Sequence, residues 1–88
     1  MACMDRTTEL SFRDVDIDST LKYISKIPKY GDTWKSMDND ELISRLIREV
    51  DELRGANTFP QIYQECLDII NVARMLGAKT KAETPHKK

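Results

Sequence analysis

Four carboxylates stand in two evenly spaced pairs, Glu49-x-x-Glu52 and Glu65-x-x-Asp68. On a helix, residues three apart share one surface, with Cβ atoms about 5–6 Å from each other. Two such pairs on facing helices present four carboxylates to one spot. Two things justify holding acids together: a divalent cation, or a proton shared between carboxyls. Rigid carboxylates suit magnesium, which takes hard oxygen ligands in octahedral geometry and keeps several waters. An ion held this way neutralises charge on phosphate oxygens and activates water toward phosphorus. Such chemistry needs no serine, cysteine or histidine nucleophile. The single histidine, His86, lies near the C-terminus, where a lone histidine is far more often solvated than catalytic.

Glu65 carries more weight than the spacing. At about 100° per residue, Ile62, Tyr63, Cys66, Ile69, Ile70, Val72, Ala73 and Leu76 form a broad apolar arc, and Glu65 falls inside it. Its helical neighbours are Ile62, Ile69 and Val72, and Asp68 sits at the edge of the arc. An unpaired buried carboxylate is costly and would otherwise take up a proton. A glutamate there requires a metal, a cation or a hydrogen-bonding partner. The first pair is less telling. Arg45 and Glu49, and Arg48 and Glu52, are spaced for ordinary surface ion pairs, so that helix alone reads as a solvated face.

The elements that must position these acids are helices. Asp38 and Glu41 have the spacing of a capping box, after which Leu42, Ile43, Leu46, Ile47, Val50 and Leu53 form one apolar stripe ending at Gly55. Glu49 borders that stripe. Thr58 and Gln61 form a second capping box, with Pro60 in the first turn, and the helix they open is predicted to run to Leu76 and stop at Gly77. The short connection predicts antiparallel packing. Glu52 and Glu65 lie similar distances either side of Asn57–Thr58, so their heights agree within roughly two turns. Upstream, Asp18 or Ser19 is predicted to cap a first helix carrying Leu21, Ile24 and Ile27, which Pro28 ends or kinks. Gly31 and Asp32 mark a turn within Lys29-Tyr30-Gly31-Asp32-Thr33-Trp34-Lys35. Two aromatics, two lysines and a glycine suit a flat ring and a phosphate, or a connecting loop pinned by Trp34. Residues 1–17 read as a weakly ordered segment, 18–77 as the helical domain and 78–88 as a solvated tail.

Eighty-eight residues make one small domain with a modest core. The net charge of −1, with both signs dispersed, argues against a dedicated nucleic-acid binder. No apolar run approaches a membrane span, and Asp5, Arg6 and Glu9 occupy the place of a signal-peptide core. Two cysteines make no disulfide framework; Cys66 reads as a small buried hydrophobe and Cys3 as part of a loose start. A soluble, cytoplasmic protein is expected.

The acidic pairs, separated by twelve residues, resemble those of the MazG-like all-α nucleoside triphosphate pyrophosphatases. Lys29-Tyr30-Gly31-Asp32-Thr33-Trp34 resembles the loop ahead of that family's acidic helix. Asp68 to Leu76, with Asn71 three after the aspartate, resembles its second acidic helix. The likeness spans roughly residues 20–77, and the ordered set of motifs is far more specific than any one alone. It implies a Mg²⁺-dependent (Mn²⁺ as substitute) hydrolysis of a (d)NTP to (d)NMP and pyrophosphate. Glu49, Glu52, Glu65 and Asp68 would hold the metal, one of them also activating water. Asn71 would touch sugar or base, Trp34 would stack on a base, and Lys29 or Lys35 would meet phosphate. Arg48 departs from the pattern, since many members carry a second glutamate there.

The expected architecture is therefore an all-α antiparallel helical bundle completed by self-association as a homodimer or homotetramer. Two long helices and one short one cannot bury the wide arc around Glu65 alone. Two rivals stand beside the pyrophosphohydrolase. One is a catalytically silent helical module that oligomerises or binds a partner. The other is a phosphoribosyl-ATP pyrophosphohydrolase, which the glycine–tryptophan loop disfavours.

Overall fold

Asp5 opens the first helix. Its backbone is extended (φ −70°, ψ 162°) and its carboxylate accepts a hydrogen bond from the Thr8 amide at 2.8 Å, the geometry of an N-cap. In the computed structural model, which describes residues 3–83, the order is α1 (Arg6–Tyr30), a 3₁₀ turn (Thr33–Ser36), α2 (Asn39–Arg54) and α3 (Phe59–Glu83). The described residues contain no strand, and none of their helices is long and apolar enough to cross a membrane.

Three helix boundaries differ from expectation, each for a physical reason. The first helix begins at Arg6 and not at Asp18 or Ser19. The Ser19 hydroxyl bonds back to the Asp16 carbonyl at 3.0 Å, which is how serine behaves within a helix rather than at its start. Pro28 lies inside the last turn of α1 without ending it there; Gly31 closes the helix, donating to the Ile27 carbonyl at 2.8 Å. A proline so near the end removes one ladder bond without interrupting a long run. The third helix continues through Gly77 to Glu83. One glycine costs a helix only about 1 kcal/mol relative to alanine. The following turn is supported by Thr80 Oγ1 on the Leu76 carbonyl (2.7 Å) and a Lys79–Glu83 ion pair (3.5 Å). Residues 84–88, including His86, lie outside the described residues.

The caps of the other two helices follow the sequence. Asp38 accepts from the Glu41 amide at 2.8 Å while the Glu41 carboxylate accepts from the Asp38 amide at 3.0 Å. Thr58 and Gln61 make the same reciprocal pair, at 3.3 and 3.2 Å. Gly55 caps the C-terminus of α2. The tight connection brings α2 back along α3, and α1 packs against α3 as well.

The core is small and centred on α3. Leu42, Leu67 and Val72 are its buried apolar side chains. The α2 stripe divides: Leu42 is buried and Leu46 and Leu53 half-buried, while Ile43, Ile47 and Val50 stay exposed. Cys66, expected to be buried, is half-buried, and Cys3 is exposed; both are free thiols. The contact between α1 and α3 has a polar seam. Asn71, itself buried, donates to the carbonyl of buried Ser19 at 2.9 Å. Arg74 reaches Thr20 and Asp16, both at 3.3 Å, and the Tyr63 hydroxyl donates to Asp18 at 2.6 Å. That last bond, to a carboxylate, pushes the Tyr63 phenol up to about 12.

Candidate metal centre

Helix α3 carries Glu65 and Asp68 on adjacent turns, and α2 sets Glu49 opposite them. One oxygen from each of the three lies within 4.8 Å of the others, and all three residues are half-buried. Glu65 Oε1 is shielded from water and has no hydrogen-bond partner. An orphaned carboxylate oxygen is a cost of about 1–3 kcal/mol or more unless something meets it. Hard oxygen donors gathered at this separation, from carboxylates one of which has an orphaned oxygen, fit a magnesium or manganese ion.

Electrostatics point the same way. The Glu49 carboxyl is held above its ordinary value, first by burial, then by the negative charges of Glu52, Asp68 and Glu65; Arg45 opposes the shift. The protein thus holds a concentration of negative charge that raises the proton affinity of one member. Glu52 contributes to that field but is exposed and outside the group of three. It sits one turn beyond Glu49 on the solvent side of α2, because the face of α2 that meets α3 runs through Leu42, Leu46 and Leu53.

Two lysines of α1 complete the surroundings. Lys22 and Lys26 approach the same Asp68 oxygen, Oδ1, at 3.0 and 3.2 Å. Neither was among the residues singled out from sequence. Their spacing of four on one helix was the available signal, but α1 and Asp68 are joined only by the tertiary fold. A small cavity of about 30 Å³ is bordered by Lys26, Arg45, Glu49, Asp68, Asn71 and neighbouring apolar groups.

No family model, curated protein or solved structure matches the chain.

The glycine–tryptophan segment forms an anchored shelf. Trp34 Nε1 donates to the Tyr23 hydroxyl at 2.9 Å, and that hydroxyl donates to Asp32 at 3.3 Å. Lys35 pairs with Asp32 at 3.3 Å, and its ammonium lies 5.7 Å from the Trp34 ring centroid. Lys79 of α3 donates to the Lys35 carbonyl at 3.4 Å. The segment is thus tied to both α1 and α3, and Trp34 is half-buried. It borders a cavity of about 260 Å³ with Tyr23, Asn71, Arg74 and Met75, and another of about 320 Å³ with Lys35 and Lys79. Asn71 and Met75 also border the small acidic cavity, so the aromatic pocket and the carboxylates share a wall. Asn71 spends its amide on the Ser19 carbonyl, a structural bond that sequence reasoning did not foresee. Lys29 is exposed at the end of α1.

Proposed function

We propose that the chain is a Mg²⁺-dependent nucleoside triphosphate pyrophosphohydrolase of MazG-like type, converting a (d)NTP to a (d)NMP and pyrophosphate. The observation that carries this reading is the orphaned Oε1 of Glu65 inside a group of three carboxylates. Glu49, Glu65 and Asp68 would hold the ion, with Glu52 at the rim. Magnesium bound there supplies neutralisation of phosphate charge and a more acidic water. The residues of the chain do the rest. Apolar Val72 and Met75 beside the acidic cavity limit competing water. The pocket walled by Trp34 and Tyr23, about 260 Å³, offers aromatic surface on which a base would stack. Lys26 and Arg45, at the border of the acidic cavity, offer positive charge for phosphates. In this reading the helices form a bundle completed by a second copy of the chain, which covers the exposed apolar residues of α1 and α2.

One observation favours a different reading. Lys22 and Lys26 already neutralise part of the acidic group, as they would in a catalytically silent helical module that oligomerises or binds a partner. The two separate experimentally. With Mg²⁺ and a panel of nucleotides, the full chain is expected to release pyrophosphate from at least one, and Glu65→Gln to remove most of that release with the helical circular dichroism unchanged. No turnover and no Mg²⁺-induced rise in Tm would establish the silent module, because an ion that binds only the folded state must raise its stability.

A further inference from the structure

The two ammonium groups on Asp68 are held differently. Lys22 Nζ lies 3.0 Å from Asp68 Oδ1 and also donates to the Gln64 carbonyl at 3.1 Å; its side chain is 20% exposed. Lys26 Nζ donates to the same oxygen at 3.2 Å and its side chain is 44% exposed. Lys22 is fixed by two bonds, one of them to α3 backbone. Lys26 is the freer of the two, and it borders the acidic cavity together with Arg45.

We infer that Lys26 is an exchangeable cation: it stands in for a divalent ion at Asp68 in the free protein, then turns to the phosphate chain when metal takes the carboxylates. The inference rests on the proposed function and adds a residue and a direction of coupling to it. Three carboxylates within a few ångströms need positive charge, and a lysine ammonium is a mobile, monovalent form of it on a flexible stem. A divalent ion held by Glu49, Glu65 and Asp68 draws on the same Asp68 carboxylate, so metal and Lys26 compete for its charge. Lys26 and Arg45 both border the small cavity, so once the ammonium is released an incoming phosphate chain would meet two cations next to the metal. Lysine and metal therefore oppose each other at Asp68 and cooperate for the anion. A residue with only a packing role would not shift those two affinities in opposite directions.

The test uses the full chain with Lys26→Met, Lys26→Gln and Lys26→Arg, each checked for native helical content. Calorimetric titration first measures Mn²⁺ alone, then inorganic tripolyphosphate in excess Mn²⁺. Removing one charge at this range is expected to make Mn²⁺ bind about tenfold tighter in the Met and Gln variants, and tripolyphosphate about tenfold weaker. Lys26→Arg keeps the charge and is expected to stay near wild type for tripolyphosphate. If wild type binds Mn²⁺ and the Met and Gln variants match it in either titration, the exchange is wrong while the metal centre stands. If neither wild type nor variants bind Mn²⁺, the metal centre and the exchange fall together.

Discussion

Glu49 shows how a single side chain makes the site sensitive to pH. Its carboxyl is held above the ordinary value of 4.5, mainly by burial. The folded state therefore holds that proton more tightly than the unfolded chain does. Its contribution to stability is greatest below 4.5 and is lost as pH rises through the raised value. Asp5, lowered by the Thr8 amide from 3.8, has the opposite sign: its contribution is present above 3.8 and lost as pH falls. A wild-type pH profile mixes the two. The difference in Tm between wild type and Glu49→Gln isolates Glu49. In metal-free buffer, Gln at this position should gain on wild type as pH climbs from 4 toward neutrality, with the gain rising above about pH 4.5. On the proposed metal centre, a Mg²⁺-induced rise in the Tm of wild type should grow over the same range, since a bound ion would need the deprotonated acid. Asn71 makes a separate point at this scale. Its bond to the Ser19 carbonyl is buried at both ends. Asn71→Ala is expected to lower the stability of the metal-free protein by about 1–3 kcal/mol, read from urea denaturation. A role confined to sugar or base would leave that midpoint unmoved.

Helix ends were legible where the cap lies next to the helix it serves. Asp38 with Glu41, Thr58 with Gln61, and Gly55 all do in the structure what their spacing suggests. Boundaries differ where a local stop signal is outweighed by the helical bonds of the turns around it. Gly77 is an interior helical residue with open space around its Cα, whereas Gly31 adopts φ 57° and ψ −140°, a conformation that a side chain strains. The two glycines should therefore respond oppositely to alanine. Gly77→Ala is expected to stabilise by about 0.5–1 kcal/mol, as alanine is the better helix former. Gly31→Ala is expected to cost about 1–3 kcal/mol. Equilibrium denaturation of both variants checks the signs, and a destabilising Gly77→Ala would mean that α3 does not continue past residue 77.

Across the whole molecule, the apolar surface exceeds what one copy covers. The radius of gyration is 15.1 Å, against about 12 Å for a compact domain of this length. Leu21 and Ile24 on α1, and Ile43, Ile47 and Val50 on α2, are each at least 40% exposed. These are positions three, four and seven apart, the spacing of a face made for another helix. On the proposed bundle, sedimentation velocity is expected to give a dimer or tetramer, and Tm is expected to rise with protein concentration. Leu21→Glu combined with Ile47→Glu should shift the population to monomer and lower Tm. A wild-type protein that sediments as a monomer at all concentrations would overturn the completed bundle.

Local sequence determined the helical class, both ends of α2 and the start of α3, because these depend on residues within one or two turns of each other. It also placed Glu65 inside an apolar arc, three, four or seven residues from its neighbours along α3. What it could not determine was which acids meet across the bundle. Glu52 repeats the spacing of its companions yet stays outside the group of three, since a helix face is chosen by the element it packs on. The lysines on Asp68 stand forty-two residues or more from it along the chain, and no periodic pattern records such a meeting. Only the docking of α1 onto α3 brings a cation to that carboxylate.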